Sequence, residues 1–107
     1  MPVLLVHRFD DRRFDPAKLQ KLNVFQTPRF FMDVYCLEPG QSQKPHTHAG
    51  ADKVYAVMEG HVQVRVGDDT AQLGPGEAAL CPAGFDHGIE NNSEARAAVL
   101  VFMSPPP

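Results

Sequence analysis

Two histidines one residue apart, His46 and His48, are the first candidates for chemistry in this sequence. On an extended strand, residues two positions apart project to the same face, so both imidazoles can reach one ion. Pro45 comes directly before them and favours an extended backbone at Lys44. A third histidine, His87, lies in the later stretch PAGFDHGIEN.

Three imidazoles that face a water-accessible interior are a common ligand set for Zn(II), Fe(II), Mn(II), Ni(II) or Cu(II). His46, His48 and His87 therefore predict a site for a divalent transition metal whose identity the residue types do not specify. Hydrogen-bonded structural histidines are the alternative interpretation, and the residues alone leave both open.

A lysine and a tyrosine follow the histidine pair in the stretch ADKVYAVM. Protonated Lys53 has three donors and no lone pair, so it cannot ligate a cation. Tyr55 lies two residues later, on the same face of a strand, where its phenol can contact a substrate or fill the interior. Lys53 and Tyr55 are the candidate catalytic residues.

The elements that must position these side chains are predicted to be short strands. After residue 24, proline and glycine divide the chain into short pieces, most of them rich in Val, Phe, Tyr, Leu and Ala. Many short strands at such spacing favour an all-β sandwich or barrel.

One segment, residues 14–22, predicts a short helix packed on the outside of the β body. Asp15 is a candidate N-cap and Pro16 would occupy the first helical position. Leu19 and Leu22 are spaced by three, as on one helix face.

The predicted strands differ in how they are covered. Residues 62–66, VQVRV, alternate valines with polar residues, which is typical of a half-exposed strand. Residues 54–58 and 97–103 are apolar on both faces and need cover outside the core. A second subunit supplies that cover in a homodimer, which we expect; inner strands covered within the monomer are the alternative.

The composition is that of a globular protein rather than a disordered one, with 43% hydrophobic and 21% charged residues in a chain of 107. The net charge of −3 and the scattered basic residues favour neither nucleic acid nor an anionic membrane as a partner. The start does not have the pattern of a signal peptide, and no apolar run is long enough for a membrane helix.

The two cysteines, Cys36 and Cys81, lie in apolar stretches and have no CxxC spacing. They are interpreted as reduced, buried thiols of a cytoplasmic protein. Cys81 is the better candidate if either thiol is reactive or ligates a metal, because of its neighbours in the sequence.

Two stretches of the chain resemble the two signatures of the cupin superfamily. The first, GQSQKPHTHAGADKVYAVMEG, contains the fixed positions Gly40, His46, His48, 53 and Gly60. The second, GEAALCPAGFDHGIEN, contains Gly76, Pro82, Gly84, His87 and Asn91. Together they span residues 40–91 with one mismatch, at position 53.

The resemblance implies a small cupin-2 type barrel, a double-stranded β-helix or jelly roll. We expect a single domain over residues 1–107, with an N-terminal arm and the short helix over about 1–23 and the barrel over about 24–104. It also implies that His46, His48 and His87 are the metal ligands. Cupins usually have Glu as the fourth ligand, where this chain has Lys53.

Three arrangements of Lys53 remain open. The histidines hold the metal alone, with Lys53 turned aside or acting on the substrate. Alternatively, the metal is lost and Lys53 binds an anionic ligand. In the third, a bulge brings Asp52 inward as a carboxylate ligand. If Lys53 is turned aside, its ammonium is expected at the barrel mouth or beside Asp52 or Asp86.

The resemblance implies small-molecule chemistry such as dioxygenation, isomerisation or decarboxylation of oxo-acids, hydroxy-acids or sugars. The expected partner is a small anionic or oxygen-rich ligand inside the barrel. A non-catalytic module that binds or senses a small ligand or a metal is the alternative function.

Overall fold

The computed structural model of the chain describes residues 3–8 and 10–106. Within these ranges the regular structure consists of nine strands and no helix. The strands are β1 (Gln20–Gln26), β2 (Phe31–Leu37), β3 (Ser42–His46), β4 (Asp52–Glu59), β5 (Val62–Val66), β6 (Asp69–Leu73), β7 (Ala78–Cys81), β8 (His87–Glu90) and β9 (Ala97–Ser104). In the described part of the chain, no helix has the length and hydropathy needed to cross a membrane.

The strands form two antiparallel sheets. The five-stranded sheet has the order β1-β2-β9-β4-β7, and the four-stranded sheet has the order β3-β8-β5-β6. Strands distant in sequence lie side by side, as in a double-stranded β-helix, so the predicted all-β jelly-roll fold is confirmed.

The main core lies between the two sheets and follows the alternation of the strands. On β5, Val62 and Val64 are buried and Arg65 is exposed, as the pattern of residues 62–66 predicts. They pack with Val99 and Val101 of β9 in one cluster. Each buried valine stabilises the fold by roughly 1.5–3 kcal/mol relative to an exposed one.

Residues 14–22 do not form the predicted helix. The backbone N–H of Ala17 donates to Oδ1 of Asp15 at 2.7 Å, which closes a turn, and β1 follows directly. An Asp side chain bound to the backbone two residues later serves turns as well as helix N-caps. Leu19 and Leu22 pack in different clusters, on the inner and outer sides of the sheet.

The outer face of the five-stranded sheet is also apolar. Val34 and Cys36 are buried there in a second cluster, against which Phe14 and Leu100 pack. The N-terminal segment therefore covers part of this face. Leu80, at the edge strand β7, remains 60% exposed.

Candidate metal centre

The three predicted ligands converge in the structure. His46 ends β3, His87 begins β8, and their Cα atoms are paired across the two strands. His48 lies in the loop after β3. One ligand atom from each of His46, His48 and His87 lies within 4.8 Å of the others, which is close enough for one metal ion.

Glycine and loop contacts bring the two histidine-bearing segments together. A Cβ at Gly88 would lie 2.9 Å from the carbonyl oxygen of Gln43 and 3.0 Å from the nitrogen of Pro45, so β3 can approach β8 only because residue 88 is glycine. The hydroxyl of Thr47 donates to the carboxylate of Asp86. These contacts fix the His46–His48 loop against the start of β8.

Backbone carbonyls orient two of the imidazole rings. Nδ1 of His46 lies 3.0 Å from the carbonyl oxygen of Lys44, and Nδ1 of His87 lies 3.3 Å from that of Phe85. An Nδ1 that donates to a carbonyl leaves the Nε2 lone pair free, as in metal-ligating histidines.

The Nε2 atom of His87 is buried and has no hydrogen-bond partner among the described residues. A buried, unpaired ring nitrogen is costly unless something outside the chain binds it. A divalent metal fits this atom, because it would bind the free lone pair together with the nearby nitrogens of His46 and His48.

His48 and His87 also have the protonation state that metal binding requires. Burial lowers the pKa of His87 to about 4. Burial, followed by the neighbouring His46 and Lys53, lowers the pKa of His48. Both rings are therefore neutral near pH 7, with a lone pair available for a cation.

Lys53 points into the barrel and is only 2% exposed. Its Nζ donates to Oε1 of Gln43 at 3.2 Å and to the hydroxyl of Tyr35 at 3.4 Å. It lies 5.4 Å and 5.2 Å from the ring centroids of Tyr35 and Tyr55. Burial, followed by repulsion from Lys21, lowers the pKa of Lys53 to about 8.

Two sequence-based alternatives for Lys53 are wrong. No bulge brings Asp52 inward: Asp52 is exposed and its carboxylate accepts from the backbone N–H of Ala83 at 2.9 Å. Lys53 does not pair with Asp52 or Asp86 either, because its hydrogen-bond partners are the neutral Gln43 and Tyr35.

Tyr55 is buried beside Lys53, and its hydroxyl donates to Oε1 of Gln43 at 3.3 Å. Gln43 therefore accepts from both predicted catalytic residues. Sequence reasoning missed Gln43 because it belongs to a polar run that is typical of a solvated loop. It also missed Tyr35, which it treated as part of an apolar strand.

Cys81 pairs with Lys53 across β7 and β4, and both cysteines are free and fully buried. Burial raises the pKa of Cys81 to about 11, so the thiol stays protonated at neutral pH. The interpretation of Cys36 and Cys81 as buried structural thiols agrees with this environment.

A cavity of ≈ 350 Å³ is lined by His46 and His48 and, from the five-stranded sheet, by Tyr35 and Lys53. Its lining consists of Lys21, Phe31, Asp33, Tyr35, Gln43, His46, His48, Lys53 and Met103. A larger cavity of ≈ 680 Å³, between residues 17–21 and 40–43, has no histidine, cysteine or acid in its lining. The cavity of ≈ 350 Å³ is therefore the one that contains candidate metal ligands in its lining.

Comparisons with known proteins agree with this geometry. Residues 33–103 match the model of the cupin domain family Cupin_2. The crystal structure of TT1209 from Thermus thermophilus superposes with a TM-score of 0.88 at 50% identity, covering 90% of this chain and 91% of that one. A double-stranded beta-helix protein of Klebsiella pneumoniae superposes with a TM-score of 0.80 at 21% identity, covering 87% and 82%.

A further relative carries a functional name. The chain is 36% identical over 69 residues to the tetracenomycin polyketide synthase protein TcmJ of Streptomyces glaucescens. The matched segment is 64% of this chain and 46% of TcmJ, so the chain spans less than half of that relative.

Proposed function

The chain belongs to the cupin family Cupin_2. We propose that it is a metal-dependent enzyme that binds a divalent transition metal through His46, His48 and His87. The substrate is a small, oxygen-rich molecule bound inside the barrel. The observation that carries this proposal is the convergence of the histidines around the buried, unpaired Nε2 of His87.

A metal held by three histidines keeps open positions for substrate or dioxygen, and it supplies Lewis-acid or oxygen chemistry when bound. The reaction classes that fit are dioxygenation, isomerisation and decarboxylation. The relative named for a polyketide synthase supports ligands rich in carbonyl oxygens.

The chain's own residues have separate roles in this proposal. Lys53 binds the substrate as a cation, because its ammonium lines the cavity beside His46 and His48. Burial raises the pKa of Tyr55 above its usual value, so its phenol stays protonated and can donate a hydrogen bond or a proton.

The metal content of tag-free protein, purified without a nickel column, tests the proposal. We expect about one equivalent of a transition metal after reconstitution, and its loss in His87→Ala. His61→Ala is the matched control, because His61 is an exposed histidine outside the site. Less than about 0.2 equivalents in the unaltered protein, with no uptake on reconstitution, would overturn the proposal.

A second candidate function is a non-catalytic module that binds a small anion without metal. Lys53 favours it, because a buried lysine stands where cupins usually have a glutamate ligand. In that case the barrel should bind an anionic ligand equally well before and after treatment with a chelator.

We also propose that the protein is a cytoplasmic homodimer. The partly exposed outer face of the five-stranded sheet supports the dimer, since a second copy would cover it. The two reduced cysteines support the cytoplasmic location.

A further inference from the structure

We propose that Lys53 and Tyr35 form an anion subsite beside the metal, which selects substrates that chelate the metal and carry an additional anionic oxygen. The substrate class is then that of chelating acids, such as oxo-acids, rather than neutral sugars. This inference rests on the proposed function for its metal end, and on the surroundings of Lys53 for its anionic end.

The first support is a buried charge without a close counter-charge. The Lys53 ammonium is buried, and among the described residues no carboxylate lies within ion-pair distance of it. Asp33 lines the same cavity but acts on Lys53 from beyond that distance, and its carboxylate accepts from Nδ2 of Asn23 at 3.0 Å. Its partners Gln43 and Tyr35 are neutral. A buried charge is strongly unfavourable without a counter-charge. A substrate oxyanion would supply the missing one.

The second support is an unused donor on a fixed group. The ammonium has three N–H donors, of which Gln43 and Tyr35 accept two. The rings of Tyr35 and Tyr55 lie at cation–π distance and hold the ammonium in place. Gln43 also accepts from Tyr55, so it fixes both side chains through one oxygen. The remaining N–H is available to a ligand.

The third support is the position of the subsite. Lys53 and Tyr35 line the same ≈ 350 Å³ cavity as His46 and His48. Lys21 also lines this cavity, with its Nζ 5.4 Å from the ring centroid of Tyr35. One small molecule can therefore contact the metal and the two lysines together. A neutral ligand of the same shape would leave the ammonium unpaired.

Two probes with the same chelating group test this selectivity. Acetylacetone and acetopyruvate both chelate a metal through a diketone, and only acetopyruvate adds a carboxylate. Calorimetry and the visible spectrum of the Co(II)-loaded protein report their binding without any turnover. We expect acetopyruvate to bind about 10–100-fold more tightly, the range of a hydrogen bond between charged groups.

The decisive variant is Lys53→Met, which keeps most of the length of the side chain and removes its charge. Replacing an unpaired buried charge by an apolar group of similar shape is compatible with folding. The variant should lose the preference for acetopyruvate and keep its affinity for acetylacetone. Lys18→Met is the matched control, because Lys18 is exposed and lies outside this cavity.

The outcomes separate the two proposals. If Lys53→Met holds metal and still prefers acetopyruvate, the anion subsite is wrong while the metal site stands. If neither the unaltered protein nor any variant holds metal, the proposed metalloenzyme is wrong. Binding of acetopyruvate to the metal-free protein then decides the subsite, because it should depend on Lys53. If Lys53→Met does not fold, Tyr35→Phe decides: it should weaken acetopyruvate several-fold, and an unchanged preference overturns the inference.

Discussion

At the scale of single residues, the charge of Lys53 affects how strongly the three histidines bind a metal ion. A carboxylate at this buried position would face the cavity and attract a dication, whereas the ammonium repels it. We expect Lys53→Glu to tighten Zn(II) or Co(II) binding by about tenfold or more, as measured by competition with a chromophoric chelator.

The control for this substitution is Lys18→Glu, which makes the same change of charge at an exposed position outside the cavity. It should leave the metal affinity nearly unchanged, because solvent and salt screen surface charges. Equal affinities for the unaltered protein and Lys53→Glu would mean that residue 53 does not act on the metal.

His87 gives the metal-free protein a dependence on pH. Its folded-state pKa of about 4 lies below the usual value of 6.5 for histidine. Between these values the unfolded chain binds a proton that the folded chain does not. The free energy of unfolding should therefore fall as the pH is lowered through this window, by up to about 1.4 kcal/mol per pH unit.

Urea unfolding of chelator-treated protein at several pH values measures this slope. His87→Asn should flatten it, and His61→Asn, at an exposed position, should not. A slope that is the same in all three proteins would show that His87 does not carry the effect.

At the scale of elements, the close approach of β3 and β8 brings His46 and His87 of the candidate metal site together. A methyl group at residue 88 would displace the backbone of β3 next to His46. We expect Gly88→Ala to weaken metal binding by about tenfold or more while the protein remains folded.

Gly50→Ala is the matched control, because nothing lies within 4 Å of a Cβ built there, and it is close to His48 in sequence. Circular dichroism and metal titration of both variants make the comparison. Unchanged metal affinity in Gly88→Ala would mean that β3 can shift without moving His46.

The same elements show how far the sequence predicts the structure. The alternation in residues 62–66 identifies a strand because successive side chains face the core and the solvent in turn. The helix predicted over residues 14–22 was wrong, because Asp15 accepts from the backbone in a turn as well as it would in a helix N-cap. The spacing of the histidines, through the family pattern, correctly predicted that His46, His48 and His87 converge.

The environment of Lys53 could not be predicted from the sequence. Gln43 and Tyr35 reach it from two different strands, and β3 has a register irregularity between Gln43 and His46. Periodicity within one strand contains no information about such contacts between strands. The inward direction of Lys53 follows from the family register, but its neutral partners do not.

At the scale of the whole molecule, apolar surface supports the proposed dimer. Leu80 is 60% exposed, and the side chains of the N-terminal residues 3–6 are 72–95% exposed. Light scattering at micromolar concentration should give about twice the 11.8 kDa of one chain. Leu80→Glu should shift the protein toward the monomer if the sheet face forms the interface.

Leu4→Ser provides the comparison for the arm, since Leu4 is 78% exposed. A fall in mass for Leu4→Ser but not for Leu80→Glu would place the dimer interface at the N-terminal arm rather than at the sheet face. A mass of one chain for the unaltered protein would contradict the dimer.

The distribution of the site over two sheets has an evolutionary consequence. The histidines belong to β3, its following loop and β8, whereas Lys53, Tyr55 and Tyr35 belong to β4 and β2 of the other sheet. Substitutions in the four-stranded sheet change the candidate ligands themselves, whereas those on β4 and β2 change the charge and the hydrogen-bonding groups that face a ligand. Relatives could therefore exchange substrates by changing β4 and β2 alone, with the histidine-bearing strands inherited intact.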